Sequence, residues 1–419
     1  MRSVNRRRFL EGAGAASAIT LAGCTGLGGG GGGGSDKVKV GFIDSLSGPF
    51  ASTGQRRLWA TRAAVDMVND NGGLNGREIE LITRDTETDP GVATTKVNGL
   101  INDENIELLC GTFSSSICLA VGPIASRNKI PYSGGYCATD KFTGEECTSF
   151  AFRGTRNNAD IQWAGLGPYM YEQAGLESAT ILYANYSWGT SELKFFKQYY
   201  EEAGGEVTKE VAVPAGTTDF SSYLSKADKD ADALVFIQAG GDSVNLLKDV
   251  GSFGYQKDFD SLVTVGAGVG EFLEDGGVEE SVADSLMGIN YYPKVLSGPL
   301  DNSANRKFHN KYKEYADEPA PTRAASTGWE AIHLFNGIAN EIDYTGPDQS
   351  QEFVDTWRGF EMDQSYEFPQ GDKYYRDDNQ CMLEQYIFDN DGYTEKIVET
   401  IPISVAESTP NECSFKGDN

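Results

Sequence analysis

The amino-acid sequence predicts a fold of the α/β class with two doubly wound, Rossmann-like lobes. Apolar, strand-like stretches alternate with amphipathic, helix-like stretches, and such alternation is typical of parallel sheets covered by helices on both faces. The alternation runs through the chain twice, without an obvious sequence repeat. In addition, about 385 residues follow a run of glycines, which exceeds the size of a single hydrophobic core and predicts two domains.

The first run of alternating elements begins directly after the glycines. Strands are predicted over 38–43, 77–85, 106–111 and 130–134, and helices over 55–71, 90–101 and 116–127. In the first helix, alanines and other apolar residues recur at helical spacing, so one face of this helix should be buried. In the second helix, Asp89 is placed to cap the free amides and Pro90 suits the first turn.

A second run of the same kind begins near residue 160. It predicts helices over 160–174, 189–203, 220–229 and 244–253, and strands over 178–185, 205–214, 233–240 and 261–268. The last third predicts a strand over 284–293 and helices over 303–315, 324–342 and 349–360. Near the end, Asp391 and Gly392 lie between apolar segments and predict a hairpin turn, because the local acidic spacing does not match a calcium-binding loop.

The charge balance restricts the partners of the protein. The full chain carries a formal net charge of −27 at pH 7, and loss of residues 1–23, which include four Arg and one Glu, would bring it to −30. Such a surface repels phosphates, which argues against nucleic acid and anionic lipid as binding partners. The acidic residues are spread along the chain, as expected for a halophilic surface whose self-repulsion is screened by high salt. We favour this interpretation over a calcium or polycation partner.

The N-terminus combines two sorting signals. Residues 6–10 read Arg-Arg-Arg-Phe-Leu, which resembles the twin-arginine export signal, and a short, weakly apolar stretch follows. Residues 21–24 read Leu-Ala-Gly-Cys, which resembles a lipobox, so we expect Cys24 to be lipidated after removal of a signal peptide over 1–23. The alternative is an ordinary buried N-terminal helix with an incidental cysteine. The two signals stand in the correct order, which favours the lipoprotein interpretation.

A glycine-rich tether is predicted over 24–36, with seven consecutive glycines at 28–34. Glycine has no side chain to bury, so this segment should behave as a random coil. A phosphate-binding loop is the alternative, but it would need a preceding strand and a Gly-Lys-Ser/Thr sequence, and neither is present. The tether would hold a globule near the extracytoplasmic face of the membrane while leaving it mobile. No later apolar stretch approaches the 18 residues of a membrane span.

Cysteine and histidine usage argues against catalysis and metal binding. Besides Cys24 there are six cysteines, for which local pairs are expected: Cys110–Cys118, Cys137–Cys147 and Cys381–Cys413. No Cys-x-x-Cys motif occurs, and His309 and His333 are the two histidines, so neither a zinc site nor a catalytic triad is expected. His333 lies on an apolar helical stripe and is expected to be packed. We therefore expect no enzymatic activity and no cofactor.

Several long stretches resemble one family. They include VKVGFIDSLSGPFASTG, NDNGGLNGREIELITRDTETDP, GTFSSS, ILYANYSWGTSELKFFKQYYEEAGGEV and STGWEAIHLFNGI. Across Lys37 to about Pro410, the chain resembles the branched-chain amino acid and amide binding proteins of ABC importers. The resemblance implies a periplasmic binding protein fold of type I, a monomer whose two lobes close on a small ligand for delivery to a membrane permease.

The resemblance also implies the lobe boundaries. Crossing segments are expected near 154–158, 290–293 and 367–371. Lobe 1 would cover 37–155 and 292–367, lobe 2 would cover 156–291 and 368–410, and 411–419 would form a C-terminal tail. A ligand-sensing receptor ectodomain of the same fold is the alternative function, but it would require a transmembrane segment or a partner kinase.

The same resemblance implies ligand contacts from both lobes. Ser115 lies at the turn into the helix that follows the third strand, where a hydroxyl and free amides favour a carboxylate or amide. After the fourth strand the matching positions are Tyr136 and Ala138, and a one-residue shift would substitute Thr139. From the second lobe, Trp188 is the aromatic residue that would cover the ligand.

Further candidates bear on the ligand's charge. Tyr186 lies two residues before the covering tryptophan, and Asp242 follows the next strand at the edge where open α/β sheets bind ligands. Ala267 stands where amino-acid binders have a glutamate for the ligand's ammonium group. Either Asp242 or Glu271 replaces that glutamate, or the ligand has no ammonium. An amino acid, an amide and a carboxylate, including an aromatic acid, therefore remain open.

Overall fold

The computed structural model of the protein describes residues 37–265, 273–292, 298–318, 320–363 and 367–415. The predicted signal peptide and the whole of the predicted tether lie outside these ranges, as do Ala267 and Glu271. Within the ranges, strands and helices alternate as predicted, and the helices and strands below are numbered in chain order.

Each of the nine apolar stretches predicted as strands contains one. The strands are β1 (Val38–Asp44), β2 (Ile79–Asp85), β3 (Leu108–Cys110), β4 (Tyr132–Ser133), β5 (Ala151–Phe152), β6 (Ser178–Ala184), β7 (Glu206–Val213), β8 (Ala233–Ile237), β9 (Ser261–Thr264), β10 (Leu286–Asn290), β11 (Glu361–Met362), β12 (Lys373–Tyr375), β13 (Cys381–Leu383), β14 (Gln385–Asp391) and β15 (Thr394–Ile401). The turn between β14 and β15 lies at the predicted Asp-Gly pair, so the hairpin is confirmed.

The helices also follow the predicted pattern. They are α1 (Ala51–Asp70), α2 (Pro90–Asn102), α3 (Ser115–Arg127), α4 (Ala159–Glu172), α5 (Ser187–Ala203), α6 (Ser221–Leu224), α7 (Gly241–Phe253), α8 (Glu280–Ala283), α9 (Ser303–Tyr312), α10 (Arg323–Glu341), α11 (Ser350–Trp357) and α12 (Ile403–Glu407). Asp89 caps α2, since its side chain accepts the Val92 amide. The helix predicted over 220–229 is too long, because after Leu224 the amides of Lys226 and Ala227 bond three residues back in tight turns.

Two main sheets carry the fold. The first has the order β2-β1-β3-β4-β5, and all of its strands are parallel. The second has the order β15-β14-β10-β9-β8-β6-β7, in which the five strands from β6 to β10 are parallel and the β14–β15 hairpin is antiparallel. A small antiparallel sheet, β11-β12-β13, was not predicted. The two doubly wound units confirm the predicted fold class.

Both faces of each main sheet are buried, as parallel sheets require. In β8, alternate residues contribute to separate clusters, with Val235 and Ile237 on one side and Leu234 and Phe236 on the other. Helices α1 and α10 pack together closely. At Gly328 in α10 a Cβ atom would lie 2.7 Å from the carbonyl oxygen of Arg57, so this approach requires glycine.

The predicted disulfides are wrong. Among the described residues the structure has one disulfide bond, between Cys147 and Cys413, whose Cα atoms are 5.6 Å apart, while Cys110, Cys118, Cys137 and Cys381 are buried free thiols. In place of a pair with Cys110, the Cys118 thiol donates to the carbonyl oxygen of Gly134 at 3.2 Å. Local spacing misleads here because the C-terminal segment returns to a loop 266 residues away.

His333 is packed, as predicted. Its ring centroid lies 4.5 Å from that of Trp329, and burial lowers the pKa of the imidazole to about 3. No grouping of His, Cys, Asp and Glu in the described ranges could hold a metal ion. None of the described helices combines the length and apolarity needed to cross a bilayer.

Candidate ligand-binding cavity

A partly open cavity, with about 240 Å³ of empty space that includes its open mouth, lies where strands of both main sheets end. Its lining residues come from the segments that follow β3, β4, β5, β6 and β8: Phe113, Ser115, Tyr136, Ala138, Arg156, Tyr186, Trp188 and Ala239. The carboxyl ends of parallel strands are the usual ligand-binding edge of open α/β sheets. The structure therefore brings together five of the predicted site residues, Ser115, Tyr136, Ala138, Tyr186 and Trp188, in one cavity.

Ser115 lines the cavity as the first residue of α3, and its side chain ends in a hydroxyl oxygen. This oxygen accepts hydrogen bonds from the amides of Ala138 at 3.1 Å and Thr139 at 3.3 Å. The helix N-cap is Ser114, so Ser115 is not needed as the cap. Ser115 holds the segment after β4 against α3, and its single O–H, which interacts with the Cys137 thiol, can turn to donate a hydrogen bond to a ligand acceptor.

Aromatic rings form much of the cavity wall. The rings of Phe113 and Tyr136 stack with centroids 5.0 Å apart, and the ring centroid of Phe50 lies 4.8 Å from that of Phe113. Tyr186 and Trp188, from the second sheet, have centroids 6.0 Å apart. These rings offer flat apolar surfaces that suit a planar or branched apolar group.

The Trp188 ring is held by a buried carboxyl group. Glu192 accepts the indole N–H of Trp188 at 2.6 Å with one oxygen and that of Trp163 at 2.7 Å with the other. Burial raises the pKa of Glu192 to about 7, although the positive charge of Arg156 and the two indole donors oppose this rise. The acid therefore orients one wall of the cavity.

Arg156 is the charged residue that lines the cavity, and only 3% of it is exposed. Its N–H groups donate to the carbonyl oxygens of Asn157 at 2.9 Å and Tyr136 at 2.8 Å and to the side-chain oxygen of Gln162 at 3.1 Å. Its guanidinium carbon lies 4.5 Å from the centroid of the Tyr136 ring. These contacts place a fixed positive charge beside the aromatic wall.

Contacts between segments of the two sheets enclose the cavity. The hydroxyls of Ser116 and Ser187 lie 3.0 Å apart, and Ser191 donates to the Asp140 carboxylate at 2.6 Å. Lys194 also pairs with Asp140, at 3.1 Å. These polar contacts join the segments after β3 and β4 to helix α5, and so hold the two halves of the cavity together.

Two predicted site residues do not line the cavity. The Thr139 hydroxyl lies 2.9 Å from that of Ser191 and so belongs to the contacts between the two sheets, which favours Ala138 over the shifted alternative. Asp242 accepts the amide of Gly216 at 2.8 Å, and burial raises the pKa of its carboxyl group against the effect of that hydrogen bond. Ala267 lies outside the described residues.

Three lining residues were missed by the sequence analysis: Phe113, Arg156 and Ala239. Phe113 lies within the GTFSSS stretch, and Ala239 directly precedes Gly240 at the end of a predicted strand. Nothing in the residue type of either one indicates a ligand contact. The sequence does indicate Arg156 as a candidate, because this residue lies in the crossing segment expected near 154–158. A charged residue where the chain passes between two lobes is placed to reach the cleft.

A sequence match to a family model shows the family to which this chain belongs. Residues 37–392 match the family model described as periplasmic binding protein. The chain belongs to the periplasmic binding protein family. This membership confirms the resemblance, and it confirms the prediction that the chain is not an enzyme, because the family comprises binding proteins.

Individual relatives agree with this assignment. The periplasmic binding protein is 27% identical over 323 residues to Leu/Ile/Val-binding protein homolog 8 of Brucella abortus, covering 74% of this chain and 78% of the relative. It is 28% identical over 294 residues to homolog 7 of Brucella suis, covering 68% and 72% of the two chains. The chain therefore covers more than two thirds of each relative.

Solved structures share the fold. A solute binding protein of an ABC transporter from R. palustris, in complex with benzoate, has a TM-score of 0.78 at 22% identity, covering 87% of this chain and 97% of that one. A branched-chain amino acid transporter substrate binding protein from Streptococcus pneumoniae, in complex with isoleucine, has a TM-score of 0.75 at 19% identity, covering 88% and 99%. At these identities the likeness concerns the fold alone.

Proposed function

We propose that the protein is an extracytoplasmic solute-binding lipoprotein that captures a small amino acid, amide or carboxylate and delivers it to an ABC permease. The observation that carries the proposal is the shared cavity, in which Ser115 from the first sheet and Trp188 from the second face the same space. A ligand there would bridge the lobes, for which we keep the boundaries 37–155 with 292–367 and 156–291 with 368–410. The names of the relatives, which refer to transport and amino-acid binding, support the same role.

The cavity limits the size of the ligand. Eight of the described residues line it, and four of them are aromatic side chains that narrow the space, so the solute should be small. The solved relatives in complex with isoleucine and benzoate carry solutes of this size class. Both solutes combine an apolar group with a carboxylate, which matches aromatic walls beside a hydroxyl and a guanidinium.

Replacement of Ser115 by alanine tests the binding site. Ser115→Ala should weaken ligand binding by about 1–3 kcal/mol, which is the cost of leaving a buried acceptor of the ligand without one hydrogen-bond partner. Native mass spectrometry of the purified protein would identify a retained solute, and calorimetry would then compare the variant with the wild type. Ser52→Ala, on the exposed side of α1, is the matched control.

The binding proposal fails if no small solute binds the wild type across a panel of amino acids, amides and carboxylates. It also fails if Ser115→Ala leaves the affinity unchanged. Because Ser115 also holds the segment after β4, urea unfolding of the variant should accompany the titration.

Lipidation of Cys24 completes the proposal. Export by the twin-arginine route followed by acylation would hold the protein at the extracytoplasmic face, where it can reach the permease. Cys24→Ser should release the protein into the medium, whereas Thr25→Ser, which keeps the cysteine, should leave it in the membrane fraction. A Cys24→Ser protein that still partitions into detergent would contradict the anchor.

A further inference from the structure

Within the described residues Arg156 forms no salt bridge with an acidic side chain, and Glu192, on which its charge acts, directs both carboxyl oxygens to indole N–H groups. Among the other arginines there, Arg57 pairs with Asp44 and Arg77 pairs with Glu107, whereas the buried Arg153 donates to neutral side-chain and carbonyl oxygens. A buried charge without an opposite charge is costly, because desolvation is not repaid by a Coulombic partner. At a ligand cavity, the natural source of the missing negative charge is the ligand itself.

The nearby acids are occupied by other donors. Both oxygens of Glu192 accept indole N–H groups, and Asp242 accepts the amide of Gly216. Neither residue lines the cavity. An ammonium group of a ligand would therefore meet the guanidinium of Arg156 without a carboxylate from these two residues to offset the repulsion.

Arg156 also retains donors. A guanidinium has five N–H groups, and the three hydrogen bonds of Arg156 use one on Nε and one on each terminal nitrogen. One N–H therefore remains on each terminal nitrogen. A carboxylate can accept two parallel N–H groups from an arginine, and such bidentate pairs are stronger than neutral hydrogen bonds.

We propose that Arg156 pairs with the carboxylate of the ligand and makes the cavity selective for a small aromatic acid without an ammonium group. This inference rests on the proposed solute-binding function and specifies its substrate class. The four aromatic lining residues, Phe113, Tyr136, Tyr186 and Trp188, supply the faces against which a single ring packs. Ser115 donates a hydrogen bond to the same end of the ligand.

Benzoate and its neutral analogue benzamide separate charge from shape. They have nearly the same size and ring, but only benzoate carries a negative charge. By calorimetry at fixed ionic strength, the wild type should bind benzoate at least tenfold more tightly than benzamide, and more tightly than leucine. In Arg156→Gln the ratio of the two affinities should fall to about one. In Arg156→Lys, which keeps the charge but loses the bidentate fork, an intermediate ratio is expected.

Arg62→Gln is the matched control, because Arg62 is exposed on α1 and its loss changes the net charge equally. This variant should keep the wild-type ratio. The inference is overturned if Arg156→Gln retains the preference for benzoate, or if the wild type prefers leucine or benzamide. Binding of leucine alone would still support solute binding, so the two proposals can fail separately. If Arg156→Gln does not fold, the ratio of benzoate to benzamide affinity in Arg156→Lys tests the inference. A ratio below that of the wild type supports it, and an unchanged ratio overturns it.

Discussion

Raising the pH from 5 to 8 should destabilise the protein, because it forces a negative charge onto the buried Glu192 carboxyl group. Burial raises the pKa of Glu192 from its usual 4.5 to about 7 in the folded state. Between these two values the folded state holds a proton that the unfolded state has lost. The stabilisation is therefore complete below pH 4.5 and disappears as the pH rises through 7.

The size of the effect follows from the two pKa values. A difference of about 2.5 units corresponds to about 3 kcal/mol at 1.36 kcal/mol per unit, of which about 2.5 kcal/mol falls between pH 5 and 8. The charges acting on Glu192 are those of Arg156, which lowers its pKa, and Asp140, which raises it. Asp160, whose pKa burial raises to about 6, contributes a loss of the same sign.

Because other acids contribute, the informative quantity is the difference between variants. Urea unfolding at pH 5, 6, 7 and 8 in constant KCl gives the free energy of unfolding at each pH. From pH 5 to pH 8 this free energy should fall in both proteins, and the fall should be about 2.5 kcal/mol smaller in Glu192→Gln than in the wild type. Glutamine offers one acceptor oxygen to two indoles, so this variant should be less stable at pH 5. Glu202→Gln, exposed on the same helix, is the control and should retain the wild-type slope. Equal slopes for Glu192→Gln and the wild type would refute the reasoning.

Two further predictions concern stability. Cys147→Ser should lower the free energy of unfolding by about 5–6 kcal/mol, because the bond to Cys413 closes a loop of 266 residues in the unfolded chain. Unfolding of the wild type with and without reductant measures the same effect, and identical unfolding curves under the two conditions would contradict it. With a formal charge of −27, the melting temperature should fall as KCl is reduced from molar to millimolar concentrations, since self-repulsion is less screened; a constant melting temperature would argue against a halophilic surface.

Local sequence patterns determined most of the helices and strands. The apolar run that predicted 38–43 became β1, and the Asp-Pro pair at 89–90 capped α2 as expected, because burial period and capping depend on neighbouring residues. The resemblance to a family named five of the residues that line the cavity, among them Ser115 and Trp188, and they meet because turns after parallel strands gather at one edge.

Tertiary structure alone decided the features that depend on residues far apart in the chain. The Cys147–Cys413 bond joins a loop to the returning C-terminus, which no local spacing encodes. Folding places the guanidinium of Arg156 against the Tyr136 ring, and burial in the core raises the pKa of Glu192 against the effect of its two indole donors. Desolvation and pairing energies depend on this enclosure, so the residue types by themselves leave the electrostatics of the cavity undetermined.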